Sequence, residues 1–105
     1  MPTHQQIDRF TLAFHKVALQ RLREDPRSAD QALAVLDRWE ANGASPAGAR
    51  YRGRWRSLLG GDVNRLEQIV CTQTDEAATL RSVSPLGFLL DEAERQRIRR
   101  EAMAA

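Results

Sequence analysis

The chain has 105 residues, 16 basic and 14 acidic, with one cysteine and 42% hydrophobic residues. This length suits a single domain with one modest core, too small for a two-domain enzyme cleft. No apolar run is long enough to span a bilayer, and Met1-Pro2-Thr3-His4-Gln5-Gln6 lacks the basic and apolar regions of a secretory signal. A lone Cys71 cannot staple a fold and fits a reducing cytoplasm. With two histidines and one cysteine, a zinc site of N and S ligands is excluded in practice, and no metal or other cofactor is implied.

Fifteen residues are alanine, so the supply of large apolar side chains is thin and the core has to be located by periodicity. Ile7, Phe10, Phe14, Val17 and Ala18, with Ala13 and Leu22 nearby, follow helical spacing behind a Thr3 N-cap, predicting a first helix to about Arg23. Asp25-Pro26 is a cap followed by proline at a first helical position. The second helix it starts places Ala29, Ala32, Leu33, Leu36 and Trp39 on one face and stops at Asn42-Gly43. Ser45-Pro46 repeats the device for a third helix with Tyr51, Trp55, Leu58 and Leu59 inward, ended by Gly60-Gly61. Asp62 caps a fourth helix with Val63, Leu66, Ile69 and Val70 inward. Thr74 or Asp75 opens a short fifth through Ala77, Ala78 and Leu80. Ser84-Pro85-Leu86-Gly87 breaks the pattern, and Asp91 and Glu94 form a capping box for a last helix to about Met103. No hairpin signal occurs. The expected fold is all-α, one domain over residues 1–105: a compact bundle of five or six short helices with an apolar loop and an arginine-rich C-terminal helix.

Fifteen of the basic residues are arginine, and their placement is uneven. Residues 1–49 are neutral, 50–60 carry +4, 61–94 carry −5 and 95–105 carry +3. Arg50, Arg52, Arg54 and Arg56, interleaved with Tyr51 and Trp55, could grip phosphates and stack bases. Yet Tyr51 and Trp55 are i, i+4 partners that continue into Leu58 and Leu59, which favours a core role. Asp37 and Glu40, or acids after Gly61, could pair with the arginines. His4, Asp8, Thr11 and His15 share a helix face where a histidine beside a carboxylate could act as a general base; the simpler reading is the wet side of the first helix. The Arg9 and His15 spacing is similar to the motif of HEPN ribonucleases, but Phe10 stands where that family has a polar residue, and chance explains the pair better. Cys71 ends an apolar helix face and reads as a buried structural thiol.

The loop over residues 82–90 holds five apolar residues without helical register. These either plug the end of the bundle, the better reading residue by residue, or face a partner, and the helix after the loop has few apolar residues. Together they suggest a docking arm over residues 84–105, with Leu86, Phe88 and Leu89 entering an apolar groove while Arg95, Arg97, Arg99 and Arg100 meet acidic groups. Trp39, Tyr51, Trp55 with Leu58-Leu59, Leu80-Arg81 and Ser84-Pro85 ahead of an arginine-rich helix form a layout that resembles small helical bacterial proteins encoded beside nucleotidyltransferase-type toxin genes. The Ser84-Pro85-Leu86 step with Leu89-Leu90 is similar to the toxin-binding tail of some antitoxins. The resemblance implies a protein partner, a toxin encoded nearby, and carries over no catalytic residue. The expected function is therefore a non-enzymatic, cytoplasmic protein-binding module of antitoxin type, without a membrane association. The alternative is a small DNA- or RNA-binding regulator using Arg50, Arg52, Arg54 and Arg56. A homodimer is a further expectation, because apolar surface on the alanine-rich second helix and the sparse last helix would need cover.

Overall fold

A computed structural model describes residues 3–104; Met1 and Pro2, where the signal-peptide reading begins, and Ala105 lie outside the described residues. Among the described residues the chain forms six α-helices and no strand: α1 (His4–Glu24), α2 (Ser28–Ala41), α3 (Ala49–Leu59), α4 (Val63–Val70), α5 (Asp75–Ser82) and α6 (Glu92–Ala104). The all-α bundle read from periodicity is the observed fold.

The helix ends follow from local chemistry. Thr3 Oγ1 accepts the Gln6 N–H at 3.1 Å while Gln6 Oε1 accepts the Thr3 N–H at 2.8 Å, a complete capping box. Asp62 and Thr74 cap α4 and α5 by accepting from Asn64 N and Ala77 N. Asp91 and Glu94 form the expected reciprocal box at the start of α6, at 2.8 and 3.1 Å. At the end of α2, Ala44 N–H reaches Trp39 O at 2.9 Å and Gly43 N–H reaches Glu40 O. This closure needs the positive φ of 81° at Gly43.

The two proline starts differ from expectation in one respect. Asp25 and Ser45 each cap a tight turn, accepting from Arg27 N and Ala47 N, and the α-helices begin only at Ser28 and Ala49. Bonds from Ser28 N to Asp25 O and from Gly48 N to Ser45 O wind a first turn of i to i+3 type.

α1 is the central helix, in contact with α4, α5 and α6, while α2 packs chiefly on α3. Its central position moves the buried arc of α1. Phe14, His15, Ala18, Leu19 and Leu22 are buried, whereas Ile7 is 45% exposed and Phe10 and Val17 are only partly covered. The expected apolar stripe is thus displaced by about one position. A helix covered by three neighbours buries more than one seam, and the side taken as wet includes a buried residue. Trp39, expected inward, is 36% exposed, because α2 is an edge helix. Trp55 is fully buried, its indole N–H donating to Leu80 O at 2.9 Å and so joining α3 to α5.

The C-terminal segment is an integral part of the bundle. Leu86 is fully buried, and Leu90, Ile98 and Ala102 are at most 8% exposed. α6 runs antiparallel to α1: Arg21 meets Glu94, Arg95 lies over Phe14 and Arg99 over Phe10. The segment read as a docking arm over residues 84–105 is, in its described part, packed on the bundle. A helix with few large apolar residues can still pack here because arginine stems cover the rings of α1. The Cα radius of gyration is 13.5 Å, close to the ~13 Å of a compact domain of this size. No helix among the described residues is long and apolar enough to cross a membrane.

Candidate functional site

Three groups of residues bear on function. The first is the face of α1 carrying His4, Asp8, Thr11 and His15. The structure sorts these four by depth, from exposed His4 to buried His15. What gathers them is Arg81, whose side chain is fully buried. Arg81 Nη1 donates to Val70 O at 2.6 Å and to Thr72 O at 2.9 Å, and Nη2 donates to Asp8 Oδ1 at 2.6 Å. Its Nε meets Thr11 Oγ1 at 3.4 Å. The guanidinium satisfies carbonyls at the C-terminal end of α4, where a cation is favoured, and ties that end to α1. Asp8 is thereby committed to structure. Sequence reasoning missed Arg81 as a buried group, although it stands four residues after Ala77 on the inward face of α5.

His15 Nδ1 lies 2.7 Å from Thr11 O, so it carries the proton and donates. Its Nε2 is buried without a hydrogen-bond partner, and its ring sits near those of Phe14 and Trp55. Burial lowers its pKa from 6.5 to about 4, with the neighbouring Arg81 charge acting in the same direction and the Thr11 bond opposing. The imidazole is neutral and shielded from solvent. Arg9, its partner in the ribonuclease-like spacing, is exposed. Neither the general-base reading nor the ribonuclease reading is favoured by an imidazole held this way.

The second group is the basic stripe of α3. Arg56 donates to Asp37 Oδ1 at 2.7 Å and to Glu40 Oε1 at 3.0 Å. Arg52 lies 3.9 Å from Glu40 and donates to Ser45 O at 3.0 Å. Arg50 lies 3.9 Å from Glu76 and over the Tyr51 ring. Arg54 alone in the stripe is exposed with no carboxylate within ion-pair distance. Of the +4 segment, Arg56 is closely paired with α2 acids, Arg50 and Arg52 lie at 3.9 Å from Glu76 and Glu40, and Trp55 belongs to the core.

The third group is the 84–90 segment with α6. Pro85 and Leu86 are buried, Leu89 is half-buried and Phe88 is 42% exposed. Phe88 sits in a single 3₁₀ turn, Gly87–Leu89. That turn is held from both sides: Arg21 donates to Leu89 O at 2.7 Å, and Arg95 donates to Gly87 O. Arg21 also forms a two-pronged bond to Glu94, which lowers the Glu94 pKa from 4.5 to about 2, aided by the Asp91 backbone N–H. Of the predicted contact residues, Leu86 is thus a core side chain. Half-buried Arg95 and exposed Arg99 lie over α1 rings, and Arg97 and Arg100 are also exposed.

Cys71 is half-buried rather than buried. Burial, then the nearby Glu67 carboxylate, raises its thiol pKa, the opposite of what a reactive thiolate needs. No protein-family model, curated protein or solved structure matches this chain.

Proposed function

We propose that this chain is a non-enzymatic protein-binding module, in its simplest form an antitoxin-type neutraliser of a toxin encoded nearby. Phe88, with Leu89 at its rim and Arg97 and Arg100 on the outer side of α6, forms the contact surface. The observation that carries this reading is the exposure of Phe88 inside a turn whose neighbours Leu86 and Leu90 are buried and whose carbonyls are held by Arg21 and Arg95. An aromatic side chain on a backbone fixed in advance loses little entropy on binding, and aromatics are frequent binding hot spots. The exposed Arg97 and Arg100 of α6 favour a partner that also carries acidic groups.

The alternative, a DNA- or RNA-binding regulator using Arg50, Arg52, Arg54 and Arg56, has less support because Trp55 is buried in the core and Arg56 is closely paired with Asp37 and Glu40. The test is co-purification with the product of the adjacent gene. Phe88→Asp is expected to weaken that complex about tenfold or more, and reversing Arg97 and Arg100 to glutamate should slow its association. A complex unaffected by all three substitutions would overturn the assignment of this surface.

A further inference from the structure

A small cleft opens between α1 and α6, about 210 Å³ in volume. Its walls differ in character from the rest of the surface. Arg81, Arg95 and Arg99 line it, and no aspartate or glutamate does. The hydrogen bonds already made leave this cleft with spare donors. Arg81 makes four bonds, to two carbonyls, a hydroxyl and Asp8. The Asp8 carboxylate at 2.6 Å offsets its charge, so Arg81 lines the cleft without adding to its grip. Arg95 gives one N–H to Gly87 O and keeps the others, with its guanidinium 5.5 Å from the Phe14 ring centre. Arg99 lies 5.1 Å from the Phe10 ring centre and makes no ion pair among the described residues.

The hydroxyls extend the same pattern. Thr11 and Ser82 give their protons to backbone carbonyls, Asp8 O and Thr79 O. Ser84 Oγ instead accepts, from Leu86 N at 3.1 Å, so its proton is available to a ligand. Two guanidiniums one helical turn apart and one hydroxyl, with no opposing carboxylate, call for a ligand that mostly accepts. Planar guanidiniums resting on aromatic faces are already oriented, so little ordering cost remains when they bind.

We infer that this cleft is a binding site for a phosphoryl oxoanion, held by Arg95, Arg99 and Ser84. The site adjoins the Phe88 turn through Gly87 and Arg95, but the proposal does not rest on a protein partner. Inorganic phosphate is the first probe and glycerol phosphate the second, so that a free ion and a phosphomonoester are distinguished. Each is titrated into the full chain at constant ionic strength while backbone amide resonances are followed by NMR.

The expected result is a saturable shift centred on Ser84, Gly87 and Arg99. Arg99→Gln should weaken binding about tenfold, and Arg99→Lys, which keeps the charge but loses the fork, should weaken it less. Arg65→Gln, an equal charge change on exposed α4 outside the cleft, should leave affinity within about twofold. Retained thermal unfolding of each variant confirms that the fold persists. Absence of a saturable shift with either probe would overturn the inference. Equal weakening by Arg99→Gln and Arg65→Gln would do so too, since it would reveal only diffuse attraction.

Discussion

His15 shows how one buried side chain couples this small core to pH. Its imidazole titrates near 6.5 when exposed and at about 4 in the folded chain. The unfolded chain therefore binds the proton more readily between those values. The loss of stability linked to His15 is absent above pH 6.5 and grows as pH falls towards 4, to about 3 kcal/mol in all. The orphaned Nε2 makes a second prediction possible at the same position. His15→Leu removes a buried nitrogen without a partner, and the Thr11 carbonyl it releases belongs to a helical backbone. Stability at neutral pH should be unchanged or higher by about 1 kcal/mol, and its slope between pH 4 and 6.5 should flatten. Chemical denaturation at pH 7, 5.5 and 4 measures both, and an unchanged slope would separate the pH response from His15.

At the scale of the element, α6 illustrates how polar contacts can hold a helix with few apolar anchors. Ile98 and Ala102 supply its buried contacts, while Arg21 ties its first turn to the far end of α1. Glu94 is the hinge of this arrangement, accepting both from Arg21 and from the Asp91 N–H. Its folded pKa is depressed from 4.5 to about 2, so its contribution is fully present above pH 4.5 and is lost as pH falls towards 2. Glu94→Gln should remove that acid-range dependence and increase amide exchange along α6 relative to α1. Hydrogen exchange measured at pH 6 and in acid tests it, and equal protection of α6 in both proteins would show the clamp to be dispensable. The Thr3 N-cap and the Asp91 capping box were legible in the sequence because each satisfies N–H groups within four residues. The Arg21–Glu94 pair was not, because its partners are 73 positions apart.

For the molecule as a whole, the order of packing around α1 decides what truncation does. Ending the chain at Leu90 would uncover Phe14 and the rest of the α6-facing side of α1. A domain of this size has little stability in reserve, so the shortened chain should lose its cooperative thermal transition, as circular dichroism would report. A cooperative transition like that of the full chain would restore the picture of residues 91–105 as an appendage. Exposed apolar residues follow the same geometry: Ile7, Trp39 and Phe88 stand on three separate elements, and of these only Phe88 lies in a turn fastened on both sides by arginine.

The sequence by itself determined the six helices, their breaks and most of their caps, because these depend on hydrogen bonds and side-chain spacing within one or two turns. It also placed Trp55, Leu58 and Leu59 in the core and anticipated acids opposite the α3 arginines. Only the tertiary structure decided that α1 is central and buries His15, that Arg81 is an interior cation on Asp8, and that Leu86 points inward while Phe88 stays exposed. Those outcomes arise from contacts between residues far apart in the chain, where burial and charge pairing depend on which helices become neighbours.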